Sequence, residues 1–271
     1  MKKTILITGA SRGFGRIWAE AFLKRGDNVA ITARNPEALK PMIEKYGESV
    51  LALPLDVNKS GEAFEVVQKV QKHFGRIDIL INNAGYGLFG AVEESTEQQV
   101  RGLMETNFFG LLWVTQAVLP VMRNQNGGHI IQVSSFLGLV TLPMMGIYNA
   151  SKFAVEGMSE TLAKEVKGFG IKISLIEPNG FATEWASTGT RTKSIQAYDP
   201  VKLALAENST PEKFGNPNAT VDAIMKLVDS PEPPLRLLLG KVAYPYVKQV
   251  YEERLASWEE WKEVSHKAHG Y

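Results

Sequence analysis

The sequence predicts an α/β fold, a doubly wound parallel sheet of seven strands with helices on both faces. Short apolar runs alternate with helix-length stretches along most of the chain. Several of these runs are continuously apolar, as in parallel strands that are covered on both faces. Because each parallel strand returns through a crossover, the alternation favours one doubly wound sheet with right-handed connections. The expected strands are residues 4–8, 28–33, 49–54, 77–82, 129–134, 171–176 and 235–239.

Local signals mark where several helices begin and end. Thr96 and Gln99 form a capping box, which indicates a helix that starts just after Thr96. Gly26 and Gly75 each end a helical stretch directly before a strand, where a left-handed C-cap is expected. These signals place helices between consecutive strands and so support the alternation.

The chain of 271 residues is expected to form one domain. Two regions depart from the regular alternation. Residues 185–216 are rich in Thr, Ser, Asn and Pro and predict a loop with a short helix, long enough to act as a substrate lid. Residues 244–271 are aromatic and charged, and they predict a C-terminal helix that packs on the body.

The composition excludes several kinds of protein. Lys and Arg total 30, Asp and Glu total 29, and the formal net charge is +1. This balance indicates neither a nucleic-acid partner nor an anionic membrane. Because the chain has no cysteine, it has no disulfide, cysteine-bound metal or thiol nucleophile. His266 and His269 have no evident third ligand, so we expect no metal.

Two stretches could suggest an exported or membrane protein. The apolar run at the start breaks at Gly9 and meets Arg12, which makes it too short for a signal peptide. Residues 130–151 carry no charge and are long enough to span a bilayer, but they include Gln132 and Pro143. We therefore expect a cytoplasmic protein with no membrane partner.

A glycine-rich turn follows the first expected strand and opens a helix, in the pattern G-x-x-x-G-x-G. Backbone N–H groups and a helix N-terminus at such a turn can bind a pyrophosphate. Glycine is needed there because a Cβ would block that approach. The turn therefore predicts a dinucleotide site. Its expected cofactor-binding residues are Gly9, Ser11, Arg12, Gly13, Phe14 and Gly15.

Residues 85–90 match a different glycine pattern, G-x-G-x-x-G, and Glu105 follows 20 residues after Gly85. That fingerprint requires a helix that opens directly after it, and no helical pattern begins there. We interpret residues 85–90 as a loop after the fourth strand, near the cofactor but not around its phosphates.

The end of the second strand predicts which cofactor binds. A site for a free ribose 2′-hydroxyl places an acid there, whereas a 2′-phosphate needs an arginine. The strand ends in Thr32-Ala33-Arg34, and Arg12 lies in the glycine turn. Two guanidinium groups can bind one phosphate dianion with charge-assisted hydrogen bonds. We therefore expect NADP(H).

Tyr148 and Lys152 are four residues apart, so a helix places them on one face. A nearby cation lowers the pKa of a tyrosine, whose ordinary pKa of about 10 hinders acid–base catalysis near neutrality. Residues 198/202 and 244/248 repeat the same Tyr and Lys spacing. Only Tyr148 lies 13 residues after a serine, Ser135, at the end of a strand. This context favours Ser135, Tyr148 and Lys152 as a catalytic group.

Taken in order, these motifs resemble the single-domain branch of the short-chain dehydrogenase/reductase family, over about residues 1–185. The resemblance implies a Rossmann fold and an NADP(H)-dependent hydride transfer involving a carbonyl or secondary alcohol. It implies that Tyr148 is the acid and base, that Ser135 aligns the carbonyl, and that Lys152 lowers the Tyr148 pKa and holds the ribose. Asn107 would hold a water that relays protons to Lys152. The implied cofactor-binding positions are Arg34, Asp56, Val57, Asn83, Ala84, Gly85, Tyr148, Lys152, Pro178 and Thr183.

The residues expected around the substrate are mostly apolar, as in most ligand sites, and they indicate a hydrophobic ketone, aldehyde or alcohol. These residues are Phe136, Met145, Phe181 and Trp185. The tail and residues 233–236 further resemble bacterial members related to hydroxysteroid and retinol dehydrogenases. Asn179 stands where the family usually has glycine. Either its backbone takes a left-handed turn, or its side chain reaches the substrate or nicotinamide.

Two other functions remain open at this stage. One is a binding protein that senses NADP(H) without turnover, although the complete Ser, Tyr and Lys set argues against it. The other is an epimerase or dehydratase of nucleotide sugars, whose glycine spacing and substrate domain usually differ. The resemblance also implies a homodimer or homotetramer that forms through residues 107–123 and 148–168.

Overall fold

The computed structural model describes residues 2–208 and 210–270 and contains a sheet of seven strands. The strands are β1 (Thr4–Ile7), β2 (Asn28–Ala33), β3 (Val50–Pro54), β4 (Ile79–Asn82), β5 (Gly128–Val133), β6 (Ile171–Pro178) and β7 (Arg236–Leu239). Their order is β3-β2-β1-β4-β5-β6-β7, and every neighbouring pair is parallel. The predicted fold class is confirmed.

Helices connect these strands and cover both faces of the sheet. The α-helices among the described residues are α1 (Gly13–Arg25), α2 (Lys40–Tyr46), α3 (Ser60–Phe74), α4 (Glu97–Met104), α5 (Leu111–Asn124), α6 (Gly146–Glu165), α7 (Trp185–Thr188), α8 (Asp199–Glu207), α9 (Val221–Asp229), α10 (Ala243–Glu260) and α11 (Lys262–Lys267). One face packs on α1, α2 and α9, and the other packs on α3, α5 and α6. A fully buried aliphatic side chain in these layers contributes about 1.5–3 kcal/mol.

The apolar runs explain both layers because successive strand side chains point to opposite faces. In β1, Ile5 and Ile7 belong to the layer that contains Trp18 of α1. Leu6 belongs to the opposite layer, with Val118 of α5. A strand that is covered on both faces therefore needs an apolar residue at every position, as β1 has.

The predicted helix signals are confirmed. The side chains of Thr96 and Gln99 form a capping box at the start of α4. Gly26 and Gly75 adopt left-handed conformations after α1 and α3, with φ of 96° and 81°. The sequence did not predict a π-helical turn, Glu105–Gly110, that joins α4 to α5. Such turns are uncommon and occur frequently at functional sites.

The prediction of one short helix in residues 185–216 is wrong in its detail. Two α-helices form there, α7 and the longer α8, together with a strand at Thr190–Arg191. That strand pairs in parallel with Leu88–Phe89 and makes a separate two-stranded sheet. Asp199 and Pro200 occupy the first positions of α8, where both residue types favour helix initiation.

The C-terminal region is helical as predicted, but only its first part packs on the body. Ala243 is buried, the Tyr246 ring lies 6.2 Å from that of Phe136, and Arg254 donates a hydrogen bond of 2.8 Å to the Leu139 carbonyl. Farther along, exposed tryptophans occupy positions 258 and 261. Across residues 2–208 and 210–270, no helix combines the length and apolar character that crossing a bilayer requires.

Candidate active site

The glycine turn after β1 forms a cradle that side chains would fill. Gly9 has φ +68°, and a Cβ there would lie 2.9 Å from the Ala84 Cα. A Cβ on Gly15 would lie 2.6 Å from the Gly9 carbonyl oxygen. Gly13 has φ +53° and is the first residue of α1. The turn therefore packs tightly against the loop at Ala84 and leads directly into the N-terminus of α1, where a pyrophosphate can bind.

The turn is tied to the loop that follows β4, the neighbour of β1 in the sheet. Thr8 Oγ1 accepts hydrogen bonds from the N–H groups of Asn83 and Ala84, at 3.0 and 3.1 Å. The Asn83 side chain donates to the carbonyls of Thr8 and Gly9, at 3.0 and 2.9 Å. Gly85 follows directly. Asn83, Ala84 and Gly85 therefore lie beside the glycine turn, and Asn83 acts there by holding the turn in shape.

The second glycine pattern, residues 85–90, leads into no α-helix. It contains the strand Leu88–Phe89, and lid residues pack closely on its glycines. A Cβ on Gly87 would lie 2.8 Å from the Trp185 ring, and one on Gly90 would overlap the side chain of Thr192. Gly87 and Gly90 therefore make room for neighbouring side chains, and no α-helix opens directly after Gly90, as expected for this segment.

Arg12 and Arg34 are exposed at the carboxyl edge of the sheet. Within the described residues, neither side chain takes part in a hydrogen bond or a salt bridge. Arg34 lies near Tyr86. Burial raises the pKa of Tyr86, and the positive charge of Arg34 partly opposes that rise.

The loop after β3 holds Asp56 and Val57. Asp56 Oδ1 accepts from the Asn58 N–H at 3.2 Å. Val57 is buried beside Gly110, where a Cβ would lie 2.7 Å from a Val57 methyl.

Ser135 and Tyr148 meet beyond the end of β5. The Ser135 hydroxyl accepts from the Leu137 N–H at 3.1 Å and lies 3.5 Å from the Pro178 carbonyl. Tyr148 is 5% exposed. Its pKa is raised by burial, and a hydrogen bond with Ser135 opposes that rise. Ser135 therefore lies near enough to lower the Tyr148 pKa.

Lys152 lies beside Tyr148 and binds the end of β5. The Lys152 ammonium lies 5.8 Å from the Tyr148 ring centroid and donates to the Val133 carbonyl at 2.9 Å. Burial is the largest influence on the Tyr148 pKa, because removing water disfavours the charged phenolate. Burial also lowers the pKa of Lys152 to about 8, although Glu156 opposes this change.

Asn107 lies in the π-helical turn, with 1% of its surface exposed. Its Oδ1 accepts from the Tyr86 N–H and its Nδ2 donates to the Tyr86 carbonyl, both at 3.0 Å. Nδ2 also donates to Ser151 Oγ at 3.2 Å. A Cβ on Gly85 would lie 3.1 Å from Asn107 Oδ1 and 3.9 Å from Lys152 Nζ. The glycine thus leaves a space that both side chains border.

Three of the four predicted substrate residues lie with Tyr148. Trp185 packs edge-on against it, with ring centroids 5.1 Å apart. Phe136 and Met145 belong to the same apolar cluster. Phe181 does not, because it belongs to the layer of α1 and packs against Phe14 at 5.2 Å. Phe181 thus lies outside the Tyr148 cluster, and its place at the substrate stays a prediction.

The turn after β6 connects the lid to the glycine cradle. Pro178 ends β6, and a Cβ on Gly13 would lie 3.9 Å from the Thr183 side chain. The first of the two roles considered for Asn179, a left-handed backbone, is not found. Within the described residues, its φ is not among the positive values. Its side chain donates to the carbonyls of Gly180 and Lys213, at 2.8 and 3.2 Å, so it anchors the end of the lid.

Glu177 and Glu94 are among the buried carboxylates that sequence reasoning missed. Glu177 on β6 is fully buried near Glu156, with Arg236 3.5 Å away. Burial and the neighbouring carboxylate raise the pKa of Glu177. An acidic residue that interrupts an apolar strand run was the available signal. Glu94 is also buried, but no pattern distinguished it from neighbouring surface acids. No cluster of metal-ligating side chains is present in the part of the chain that the structure describes.

A dinucleotide cradle beside a buried Ser–Tyr–Lys–Asn group defines an oxidoreductase of the Rossmann class. The family described as short chain dehydrogenase matches residues 3–194. The chain belongs to the short-chain dehydrogenase/reductase family.

Relatives and solved structures agree with this assignment. Oxidoreductase BOA17 of Botryotinia fuckeliana is 40% identical over 270 residues, covering 98% of each chain. The 3-ketodihydrosphingosine reductase of Bacteroides thetaiotaomicron is 39% identical over 259 residues, covering 94% of this chain and 92% of the relative. A short-chain dehydrogenase from Streptomyces avermitilis is 37% identical, with a TM-score of 0.91 over 99% of both chains.

Two further solved structures contain nicotinamide cofactors. ElxO with NADP bound is 29% identical, with a TM-score of 0.75 over 88% of this chain and 97% of that one. A family member from Burkholderia phymatum in complex with NAD is 26% identical, with a TM-score of 0.82 over 94% and 95%. These neighbours support a nicotinamide cofactor for this chain, in agreement with the cradle around Gly9.

Proposed function

We propose that this protein is an NADP(H)-dependent oxidoreductase that transfers hydride between nicotinamide and a carbonyl or secondary alcohol of a hydrophobic small molecule. The observation that carries the proposal is the buried Tyr148, which packs edge-on against Trp185 and lies beside the Lys152 ammonium. The proposed catalytic residues are Ser135, Tyr148, Lys152 and Asn107.

The cradle fits a dinucleotide because its glycines allow a tight turn that leads directly into the N-terminus of α1. When bound, the nicotinamide supplies or accepts the hydride, and the protein supplies position and electrostatics. In this proposal the pyrophosphate lies on the turn and the α1 N-terminus, and the loops after β3, β4 and β6 hold the rest. The proposed cofactor-binding residues are Gly9, Ser11, Arg12, Gly13, Phe14, Gly15, Arg34, Asp56, Val57, Asn83, Ala84, Gly85, Tyr148, Lys152, Pro178 and Thr183.

Tyr148 donates a proton to the carbonyl oxygen during reduction and removes it from the alcohol during oxidation. Because burial raises its pKa, the phenol is protonated at neutral pH and ready for reduction. Ser135 would align the substrate oxygen beside that hydroxyl. Burial thus keeps the phenol protonated, and a neighbouring cation such as Lys152 would lower its pKa again during turnover.

Lys152 and Asn107 connect this site to a proton source. The lowered pKa of Lys152, about 8 through burial, allows its ammonium to give up a proton near neutral pH. Asn107 holds the Tyr86 backbone and borders the same space at Gly85. A water held there by Asn107 would return the proton to Lys152.

The preference for NADP(H) is supported by Arg34 and Arg12, both exposed at the carboxyl edge of β1 and β2. No acid occupies the end of β2, where a free 2′-hydroxyl would need one. Two guanidinium groups can share the oxygens of one 2′-phosphate. Of the solved neighbours, one holds NADP and another NAD, so the choice depends on this chain's own residues.

The substrate class is supported by the apolar cluster around Tyr148. Phe136, Met145 and Trp185 lie in or against that cluster. The relative from Bacteroides thetaiotaomicron is named for the reduction of a ketone on a long-chain base. We therefore propose a ketone that carries an extended alkyl chain.

Subunits would pair through residues 107–123 and 148–168, where Phe109 and Phe153 are exposed.

A cofactor-oxidation screen tests this function. The purified protein is mixed with NADPH or NADH and with a panel of long-chain, steroidal, aliphatic and aromatic ketones. Expected is turnover with NADPH that is highest for an apolar ketone. NADPH binding without turnover on any ketone would instead favour the NADP(H)-sensing protein.

A further inference from the structure

Glu94 is a buried carboxylate outside the proposed catalytic group, and its side chain is 0% exposed. Its Oε1 accepts from the Ile195 N–H and from Lys202 Nζ, both at 2.7 Å. Its Oε2 accepts from Thr192 Oγ1 at 2.8 Å and from the Ala91 N–H at 2.9 Å. Three of these four donors belong to residues 192–202 of the lid.

Such a carboxylate strongly favours the closed lid. A buried charge is costly unless each oxygen is hydrogen-bonded and a counter-ion is near. These bonds lower the pKa of Glu94 to about 2, with the largest effect from the Ile195 N–H and the next from Lys202. If residues 192–202 moved away, Glu94 would keep only the bond from its own turn, at Ala91.

The same lid segment continues to the catalytic tyrosine. The strand Thr190–Arg191 pairs with Leu88–Phe89, and the Thr192 N–H donates to the Phe89 carbonyl at 3.0 Å. The Phe89 ring packs on Trp185 at 5.4 Å, and Trp185 packs on Tyr148 at 5.1 Å. A chain of packed groups therefore joins Glu94 to the Tyr148 ring.

Tyr198 and Lys202, which repeat the spacing of Tyr148 and Lys152, both bind the turn that carries Glu94. The Tyr198 hydroxyl hydrogen-bonds to Glu93 at 2.5 Å, and Lys202 binds Glu94. Both members of the pair thus contact consecutive acids of the short 3₁₀ turn at Val92–Glu94. Lys202 also donates to Ser194 Oγ, which folds the segment back on itself.

We propose that Glu94 is a positioning residue that holds lid residues 190–202 closed and thereby keeps Trp185 across Tyr148. In this role it decides which carbonyl substrates reach the site. The specificity part of the proposal rests on the proposed function, whereas the holding part concerns the protein alone. The two parts are therefore tested by different measurements.

Hydrogen exchange followed by mass spectrometry tests the holding part without substrate or cofactor. Glu94→Gln keeps the side-chain size but places an NH₂ group against donors. The control is Glu97→Gln, an exposed acid nearby that pairs with Arg101. In the full chain, Glu94→Gln is expected to raise exchange across residues 190–202 by about tenfold or more, as loss of a local stabilising contact does. Glu97→Gln is expected to leave it unchanged.

Equal exchange in Glu94→Gln and the unaltered chain would overturn the proposal. A second variant, Lys202→Met, keeps the apolar stem and removes the ammonium. It is expected to raise exchange in the same segment by a smaller factor, because the Ile195 and Thr192 bonds remain. A rise of equal size over the whole chain in either variant would show general destabilisation and count against a local clamp.

Steady-state kinetics tests the specificity part. On a bulky and a small ketone that the unaltered enzyme reduces, Glu94→Gln is expected to change the ratio of their kcat/KM values by about fivefold or more, mainly through KM. An unchanged ratio of kcat/KM values together with increased exchange would refute the specificity role. Glu94 would then still hold lid residues 190–202 in place. If the unaltered protein turns over no ketone, the proposed function fails, while the exchange result still decides the clamp.

Discussion

The indole ring of Trp185 meets the ring of Tyr148 edge-on, with centroids 5.1 Å apart and planes at 64°. One ring belongs to the lid and the other to α6. Trp185 therefore shields the proposed acid from water and forms the wall against which a substrate would pack. Its removal is expected to change both the Tyr148 pKa and the fit of the substrate.

For Trp185→Ala, we expect the pH profile of kcat/KM for alcohol oxidation to shift to lower pH, by about one unit or more. Burial raises the Tyr148 pKa in the folded enzyme, and oxidation needs the deprotonated phenol. Added water lowers that pKa, so the active form is populated at a lower pH. Trp185→Phe keeps a ring and is the control. A shift to higher pH in Trp185→Ala would contradict the role assigned to burial.

For Tyr148→Phe, we expect kcat to fall by about 10²–10⁴-fold, because the general acid is lost, while the NADPH dissociation constant changes little. Stopped-flow turnover and fluorescence titration measure the two quantities. The matched control is Tyr244→Phe, which alters an exposed tyrosine with the same spacing to a lysine. Turnover above one tenth of the unaltered rate in Tyr148→Phe would exclude it as the acid.

For Arg34→Asp, we expect kcat/KM with NADPH to fall by about 10–100-fold, the effect of losing a hydrogen bond to a charged group and adding repulsion. The value with NADH should hold or rise, because an acid can accept from the ribose 2′-hydroxyl. Arg101→Asp changes an exposed arginine paired with Glu97 on α4 and serves as the control. An unchanged preference in Arg34→Asp would refute the NADP(H) assignment.

For Gly9→Ala, we expect the free energy of unfolding to fall by about 1–3 kcal/mol, with weaker NADPH binding. The backbone there has φ +68°, and the added Cβ would lie 2.9 Å from the Ala84 Cα. At Gly61 in α3 the new Cβ meets no atom within 4 Å. Chemical denaturation should therefore show no loss of stability in Gly61→Ala. Equal stability in both variants would argue against a strained, close-packed turn.

His129 is buried on β5, and its Nε2 lies 2.9 Å from Ser174 Oγ. Since the Ser174 hydroxyl donates to the Pro234 carbonyl, Nε2 must carry the proton in that contact. Burial lowers the His129 pKa to about 4 from its ordinary value of 6.5, with smaller contributions from Lys172 and Lys3. The folded state therefore resists protonation that the unfolded state accepts.

The lowered pKa of His129 makes the stability of the fold depend on pH. Between pH 6.5 and about 4 the unfolded chain binds a proton that the folded chain excludes, so stability falls as the pH decreases. The loss from this group is about 2–3 kcal/mol by pH 4. Urea denaturation at pH 7 and pH 4.5 should show a smaller decrease in His129→Gln. His73→Gln, which alters an exposed histidine, should show the full decrease in the free energy of unfolding between the two pH values. An equal decrease in both variants and the unaltered chain would contradict the assignment.

The fold was predictable because its determinants are local and repeated. The apolar run in β1 is buried on both faces, and such runs indicate strands wherever they occur. The left-handed glycines after α1 and α3 marked helix ends for the same reason, since few other residues adopt that backbone. The glycine turn and Tyr148 were found through ordered motifs, and the structure brings both to the carboxyl edge of the sheet.

Other features depend on contacts between distant segments, which local patterns do not encode. Phe181, which was expected near the substrate, packs on Phe14 of α1. Asn179 anchors the lid through the Lys213 carbonyl. In the sequence Glu94 resembles a surface acid, but in the structure residues 192–202 bury it. In each case the partner lies far along the chain or on another element, so the side-chain type alone does not reveal the role.

The sequence by itself determined the strand order along the chain, the glycine cradle, and the Ser135–Tyr148–Lys152 group. Hydrophobic periodicity, backbone freedom at glycine and helix spacing are properties of short segments, so they can be predicted without coordinates. Only the tertiary structure decided that burial sets the Tyr148 pKa and that Trp185 covers it. Desolvation depends on every group around a side chain, and those groups meet only when the chain has folded.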